Sequence, residues 1–209
     1  MLLLDTNTGK WVDGPPLLHP RGAGGAAVVG NKIIVVGGHT GNPEQLVTQT
    51  EVYDGTRWSD AADIPVPGDH LAVTADSSYL YAVGGRKFSA GSNTDVVQRY
   101  DPKANRWTAL TPAPQPVGGA GAAVVNGQLI VVGGENAHQR LRHRPGLRPE
   151  APNATWTSLP SLTRPPRAQG HRHRQHRRSG HRNMYQCRRF TPLLHSEGER
   201  AVASGSSSM

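Results

Sequence analysis

An all-β fold built from repeated four-stranded units is what this sequence predicts, and three sets of landmarks sharing one spacing predict it. Trp11, Trp58, Trp107 and Trp156 stand 47, 49 and 49 residues apart. The pairs Gly37-Gly38, Gly84-Gly85 and Gly133-Gly134 recur at 47 and then 49 residues, and Tyr53 and Tyr100, each followed by Asp, keep the same beat. A period of about 50 residues is too short for a domain and suits a module of four short strands stacked against its neighbours, the blade of a β-propeller.

Each unit opens with a hairpin. Aligned on the glycine pairs, residues 21–38, 68–85 and 117–134 read RGAGGAAVVGNKIIVVGG, GDHLAVTADSSYLYAVGG and VGGAGAAVVNGQLIVVGG. A small-residue strand, a tight turn and an apolar strand follow in order, and the turns at Gly30-Asn31-Lys32, Asp76-Ser77-Ser78 and Asn126-Gly127-Gln128 carry the residues hairpin turns require. The glycine pair lets the chain leave the second strand at angles closed to other residues. A loop of variable length then leads to a third strand ending in Tyr-Asp, seen in EVYDG at 51–55 and QRYDPKANRW at 98–107. An Asp, Pro and Asn turn precedes the Trp that opens the fourth strand. Proline-rich stretches join one unit to the next. The runs IIVV, YLYAV and LIVV should be the most buried strands, because a propeller blade is covered on both faces. Trp58, Trp107, Tyr53 and Tyr100 recur at structural positions, so they read as seam packing with their polar tips on backbone groups.

Double glycine after an apolar strand, a following Tyr-Asp, and Trp a few residues later together resemble the kelch repeat, over residues 2 to about 137. The resemblance implies a propeller similar to the central domain of galactose oxidase. On it, residues 1–163 are a partial propeller: 1–20 the end of a truncated blade, 21–64 and 65–113 two blades, and 114–163 a blade with a degenerate third strand. LLLDTNTGKW matches EVYDGTRW, so the chain opens inside a third strand, read here as a truncation or a mis-chosen start codon. Its three leucines are too short for the apolar region of a signal peptide, and no run approaches membrane-spanning length, so no compartment is indicated.

Charge changes sharply near the C-terminus. Residues 1–139 carry 9 basic and 12 acidic side chains, whereas 140–209 carry 14 and 3, and all 14 are arginine. In AHQRLRHRPGLRPEAPNATW the third strand and its Tyr-Asp are missing, yet Trp156 returns on schedule. Residues 138–150, back-translated and read one nucleotide later, can give TNAYATVQAYDPK, which restores the missing landmark; the expectation is a frameshift repaired near Ala151. From 164 to 209 the Arg/His-rich composition is that of GC-rich codons out of frame, and a tail without designed structure is expected.

Chemistry is sparse. The arginines would bind phosphate backbones non-specifically by counterion release, but no aromatic interleaving or folded motif marks a designed nucleic-acid site. His171, His173, His176, His181 and Cys187 match no closed metal-site spacing, so neither metal nor cofactor is expected. Asn153-Ala154-Thr155 is a glycosylation acceptor only in a secretory pathway. Cys187 is the sole cysteine and allows no internal disulfide. A copper oxidase of the galactose oxidase kind would need a cysteine in the blades, which hold none, and no acid and base recur at equivalent positions as a sugar-processing enzyme would need.

The expectation is therefore a non-catalytic binding module, part of a larger protein, whose partner is another protein or a carbohydrate met through the propeller loops. A sugar-processing enzyme fragment and an inactive pseudogene product are the alternatives. The resemblance places the binding positions just after the double glycines and at the start of the first strand: His39 and Thr40, Arg86 and Lys87, Glu135 and Asn136, with Arg21. The units after Pro20-Arg21 read Pro-Gly and Pro-Val, which argues against a ring of arginines. Open blade edges are expected to favour self-association.

Overall fold

Alternation of short apolar strands with glycine, Asn and Asp turns yields a meander throughout the residues that the computed structural model describes, 1–135, 144–149 and 154–159. A hairpin of β1 (Leu2–Leu4) and β2 (Trp11–Asp13) comes first. Three four-stranded antiparallel sheets follow, each with its strands in chain order. Blade 1 holds β3 (Gly25–Val29), β4 (Lys32–Val36), β5 (Thr50–Tyr53) and β6 (Trp58–Ala61). Blade 2 holds β7 (Ala72–Ala75), β8 (Leu80–Val83), β9 (Val97–Asp101) and β10 (Arg106–Ala109). Blade 3 holds β11 (Gly121–Val125), β12 (Gln128–Val132), β13 (Arg144–Leu147) and β14 (Thr157–Leu159). These are the blades of an incomplete β-propeller, the fold class the repeat predicts. They belong to one compact unit, and the Arg/His-rich tail, Cys187 and Asn153 lie outside the described residues.

Turn chemistry sets the register. In blade 3 Asn126 and Gly127 both take positive φ, 52° and 68°, and close a two-residue turn that pairs Val125 with Gln128. The landmark Asp works differently: its carboxylate caps the turn of the second hairpin. Asp54 Oδ1 accepts the N–H groups of Thr56 and Arg57 at 2.8 and 2.9 Å, and Asp101 Oδ1 those of Lys103 and Ala104 at 2.8 and 3.1 Å. Asp5 does the same for Asn7 and Thr8. Beside these turns Tyr53 pairs with Trp58 and Tyr100 with Trp107, their rings tilted at 5.2 Å. In blade 3, where the sequence lacks Tyr-Asp, β13 still pairs with β12 and β14, and Leu147 opposite Leu129 occupies the register of Tyr100 opposite Leu80.

The apolar faces meet at two seams. Ile34, Val36, Val52, Leu80, Ala82 and Tyr100 form one core between blades 1 and 2; Tyr81, Val83, Val97, Leu129, Val131 and Leu147 form the other between blades 2 and 3. Blade 2 is covered on both faces, so every residue of β8 is buried, while β4 and β12 alternate. Each seam is also stitched by hydrogen bonds. Trp107 Nε1 donates to Ala62 O at 2.9 Å, and Trp58 and Trp156 reach Pro15 O and Thr111 O at 3.1 Å. Trp11, with no blade before it among the described residues, is 62% exposed. The first glycines of the first two pairs lie against the next blade: a Cβ on Gly37 would sit 2.6 Å from Gly68 O, and one on Gly84 only 2.1 Å from Val117 O. Such approach, at φ of 62° and 65°, leaves room for glycine alone.

Candidate binding surface at the double-glycine end

Past each glycine pair the backbone turns to form a one-residue bridge with the linker that enters the same blade. His39 bridges to Gly22, Arg86 to Asp69 and Glu135 to Gly118, which sets these three side chains at one end of the blades in equivalent places. Left-handed residues link neighbouring blades here: His70 N–H donates to Ala23 O, and Gly119 N–H to His70 O, both at 2.9 Å. Ala23 and His70 adopt φ of 53° without being glycine, a conformation L-residues hold only when their surroundings over-determine it.

Four charged or titratable groups close on one another at the seam of blades 2 and 3. Arg86 donates from Nε to Asp69 Oδ1 at 3.1 Å, from Nη1 to Glu135 Oε1 at 2.7 Å and from Nη2 to His70 Nε2 at 3.0 Å. Because guanidinium only donates, His70 accepts at Nε2 and turns its Nδ1–H to Asp69 Oδ1, 2.5 Å away. Burial would raise the Asp69 carboxyl, but the Phe88 N–H at 2.8 Å, His70 and Arg86 outweigh it and hold the group below the usual carboxylate range.

Arg21, also expected at this surface, borders a groove with His39 and Thr40 but holds its guanidinium in a buried ion pair. Its side chain is 2% exposed and its partner Glu51 0%. The guanidinium bonds Glu51 Oε1 at 2.6 Å, Gly37 O at 3.0 Å and Gln49 O at 2.9 Å, while Glu51 also accepts the Leu18 and His19 N–H groups. The pair fastens the entering linker to blade 1. Gln98, at the same register in blade 2, does this with a neutral amide that bonds the N–H and C=O of Val66, both at 3.0 Å.

Of the other expected residues, His39 Nδ1 contacts Thr40 O at 2.9 Å and Thr40 Oγ1 donates to Pro43 O at 2.8 Å. Arg86 and Glu135 are brought together, Lys87 is exposed, and Asn136 lies outside the described residues. Sequence reasoning missed Asp69 and Phe88. Only repeat alignment could have flagged Phe88, as an aromatic three residues past a glycine pair where Gly41 stands in the first unit.

Stacked four-stranded meanders, seam tryptophans and double glycines in close contact with the next blade define a repeat protein of the propeller class. The kelch motif family matches residues 20–65 and 68–114, so these two units are kelch repeats. The chain is similar to Kelch-like protein 25 of Xenopus tropicalis, 29% identical over 168 residues, 76% of this chain and 28% of that protein. It is similar to Kelch repeat and BTB domain-containing protein 13 of Homo sapiens, 34% identical over 109 residues, 51% of this chain and 23% of that protein. Beta-scruin of Limulus polyphemus is 28% identical over 141 residues, 64% of this chain and 15% of that protein. The chain thus spans less than a third of the length of these curated relatives.

Proposed function

We propose that this chain is a non-catalytic protein-binding module, working as part of a longer protein and meeting its partner through the loops after the double glycines. The observation that carries this reading is the closed network of Asp69, His70, Arg86 and Glu135. Both ring nitrogens of His70 and all three nitrogens of Arg86 are engaged within it, so neither His70 nitrogen stands free to exchange a proton with a substrate. Beside it, Lys87 and Phe88 stand exposed on a rigid scaffold, the arrangement of a recognition surface. The names of the relatives denote repeats and domains rather than reactions, and their greater length supports a role within a larger chain.

Site-resolved photo-crosslinking tests the reading. A photoreactive phenylalanine analogue is placed at Phe88, and in a second sample at Val28, which lies toward the opposite end of blade 1. In extracts of the source cells, protein adducts are expected from the first site and not the second. Equal yields, or no adduct from position 88, would overturn the proposal.

A further inference from the structure

We infer that Phe88 and Lys87 form an anchor point for a partner-protein segment that carries an apolar side chain next to a carboxylate. The inference rests on the binding-module reading and names the chemistry of its partner. Phe88 is 43% exposed, and it holds φ of 71°, a conformation in which glycine or Asn is the usual occupant. Nothing about folding calls for an exposed ring there. The loop holds it in place nonetheless: Phe88 N–H donates to the buried Asp69 carboxylate at 2.8 Å, Lys87 N–H donates to Ser92 Oγ at 2.9 Å, and that hydroxyl lies 2.7 Å from Lys87 O. A ring on a pinned backbone loses little freedom on contact, which is why rigid aromatics dominate protein interfaces.

The surroundings select the partner. The ring of His39, from blade 1, meets Phe88 edge to face at 6.2 Å and 86°, so the aromatic surface spans the seam. On its blade 1 side His39 also borders a groove of about 420 Å³ with Pro20, Arg21, Gly22, Thr40 and Gly41, wide enough for an aliphatic side chain. Arg86 is neutralised by Asp69 and Glu135, whereas Lys87 makes no ion pair among the described residues. An apolar group on Phe88 followed by a carboxylate at Lys87 satisfies both features. A lone apolar ligand would leave the ammonium unmatched.

Selection of phage-displayed random dodecapeptides on the immobilised full chain tests this. Enriched peptides are expected to share an apolar residue beside Asp or Glu. Their affinity should fall about tenfold or more in Phe88→Gly, a variant that removes the ring while suiting the left-handed backbone, and about threefold in Lys87→Glu. Val28→Ser should leave it unchanged. Enriched peptides indifferent to Phe88→Gly would overturn the anchor while leaving a binding module intact; failure to enrich any peptide, together with absent cross-links at position 88, would overturn both. Sedimentation of the wild-type chain and Phe88→Gly covers the remaining occupant: self-association lost in the variant would assign the ring to a second copy and overturn the inference.

Discussion

In blade 2 the third strand sets Gln98, Tyr100 and Asp101 against its neighbours; in blade 3 the strand at the same register sets Pro145, Leu147 and Arg148 there. Backbone pairing is alike in both. What differs is every side-chain bond that the landmarks supply. Gln98 fastens the linker through Val66, Tyr100 donates to Asn105 Oδ1 at 2.8 Å, and Asp101 caps its turn. Pro145 has no amide to offer, and with Ala113, Val117 and Gly133 it lines a cavity of about 240 Å³. The strand therefore forms because β12 and β14 offer ladder partners and Leu147 fills the seam, not because the landmark is present. The one-nucleotide shift that yields TNAYATVQAYDPK over residues 138–150 would put Gln, Tyr and Asp at these same three positions.

Blade 1 offers the strongest break of the comparison, since Glu51 holds the register of Gln98 and Pro145. Glu51→Ala leaves the Arg21 guanidinium buried without its carboxylate and should cost about 3–5 kcal/mol in chemical denaturation. Truncation of the neutral Gln98 should cost about 1–3 kcal/mol. Glycine pairs separate covered from uncovered blades next. Gly84→Ala and Gly133→Ala share a left-handed penalty of about 1–2 kcal/mol. At Gly84 the added methyl also meets Val117 O, adding about 1–3 kcal/mol, whereas at Gly133 nothing lies within 4 Å among the described residues. Equal losses in the two variants would show that the seam does not bear on the glycine.

Combining Pro145→Gln, Leu147→Tyr and Arg148→Asp gives blade 3 the side chains of blade 2, and should stabilise the chain by about 1–3 kcal/mol through the Tyr-Trp contact and restored hydrogen bonds. Loss of stability instead would mean that Leu147 and Pro145 suit their seam as they are. The smallest effect concerns acid. The Arg57 N–H beside Asp54 and the Ala104 N–H beside Asp101 are the largest influences holding these carboxyls below the usual range. Their folded values being depressed, the stability they contribute is present above the unfolded value of about 3.9 and is lost as pH falls through the lower folded values. Carboxyl-carbon NMR titration should place both midpoints below about 3.9, and in the triple variant should reveal a further such group at position 148.

Legibility followed the range of the interactions. Hairpin turns, capping aspartates and the strand that ends at Tyr53 or Asp101 depend on residues a few positions apart, and these were readable. The role of Arg21 depended on Glu51, 30 residues on, and Arg86 met Glu135 at a separation of 49. Phe88 owes its prominence to a backbone angle that no composition reveals.

By itself the sequence determined the repeat, the four-stranded blade and the places where glycine, Trp and Asp recur, because each rests on local geometry or on a period that must match neighbouring units. Tertiary structure alone decided which copy of each landmark is buried, which arginine is spent inside a blade, and which loop side chains face outward. Similar apolar runs become β4, half covered, and β8, wholly covered, for one physical reason: burial in a stacked fold is supplied by the neighbour on each face rather than by the strand itself.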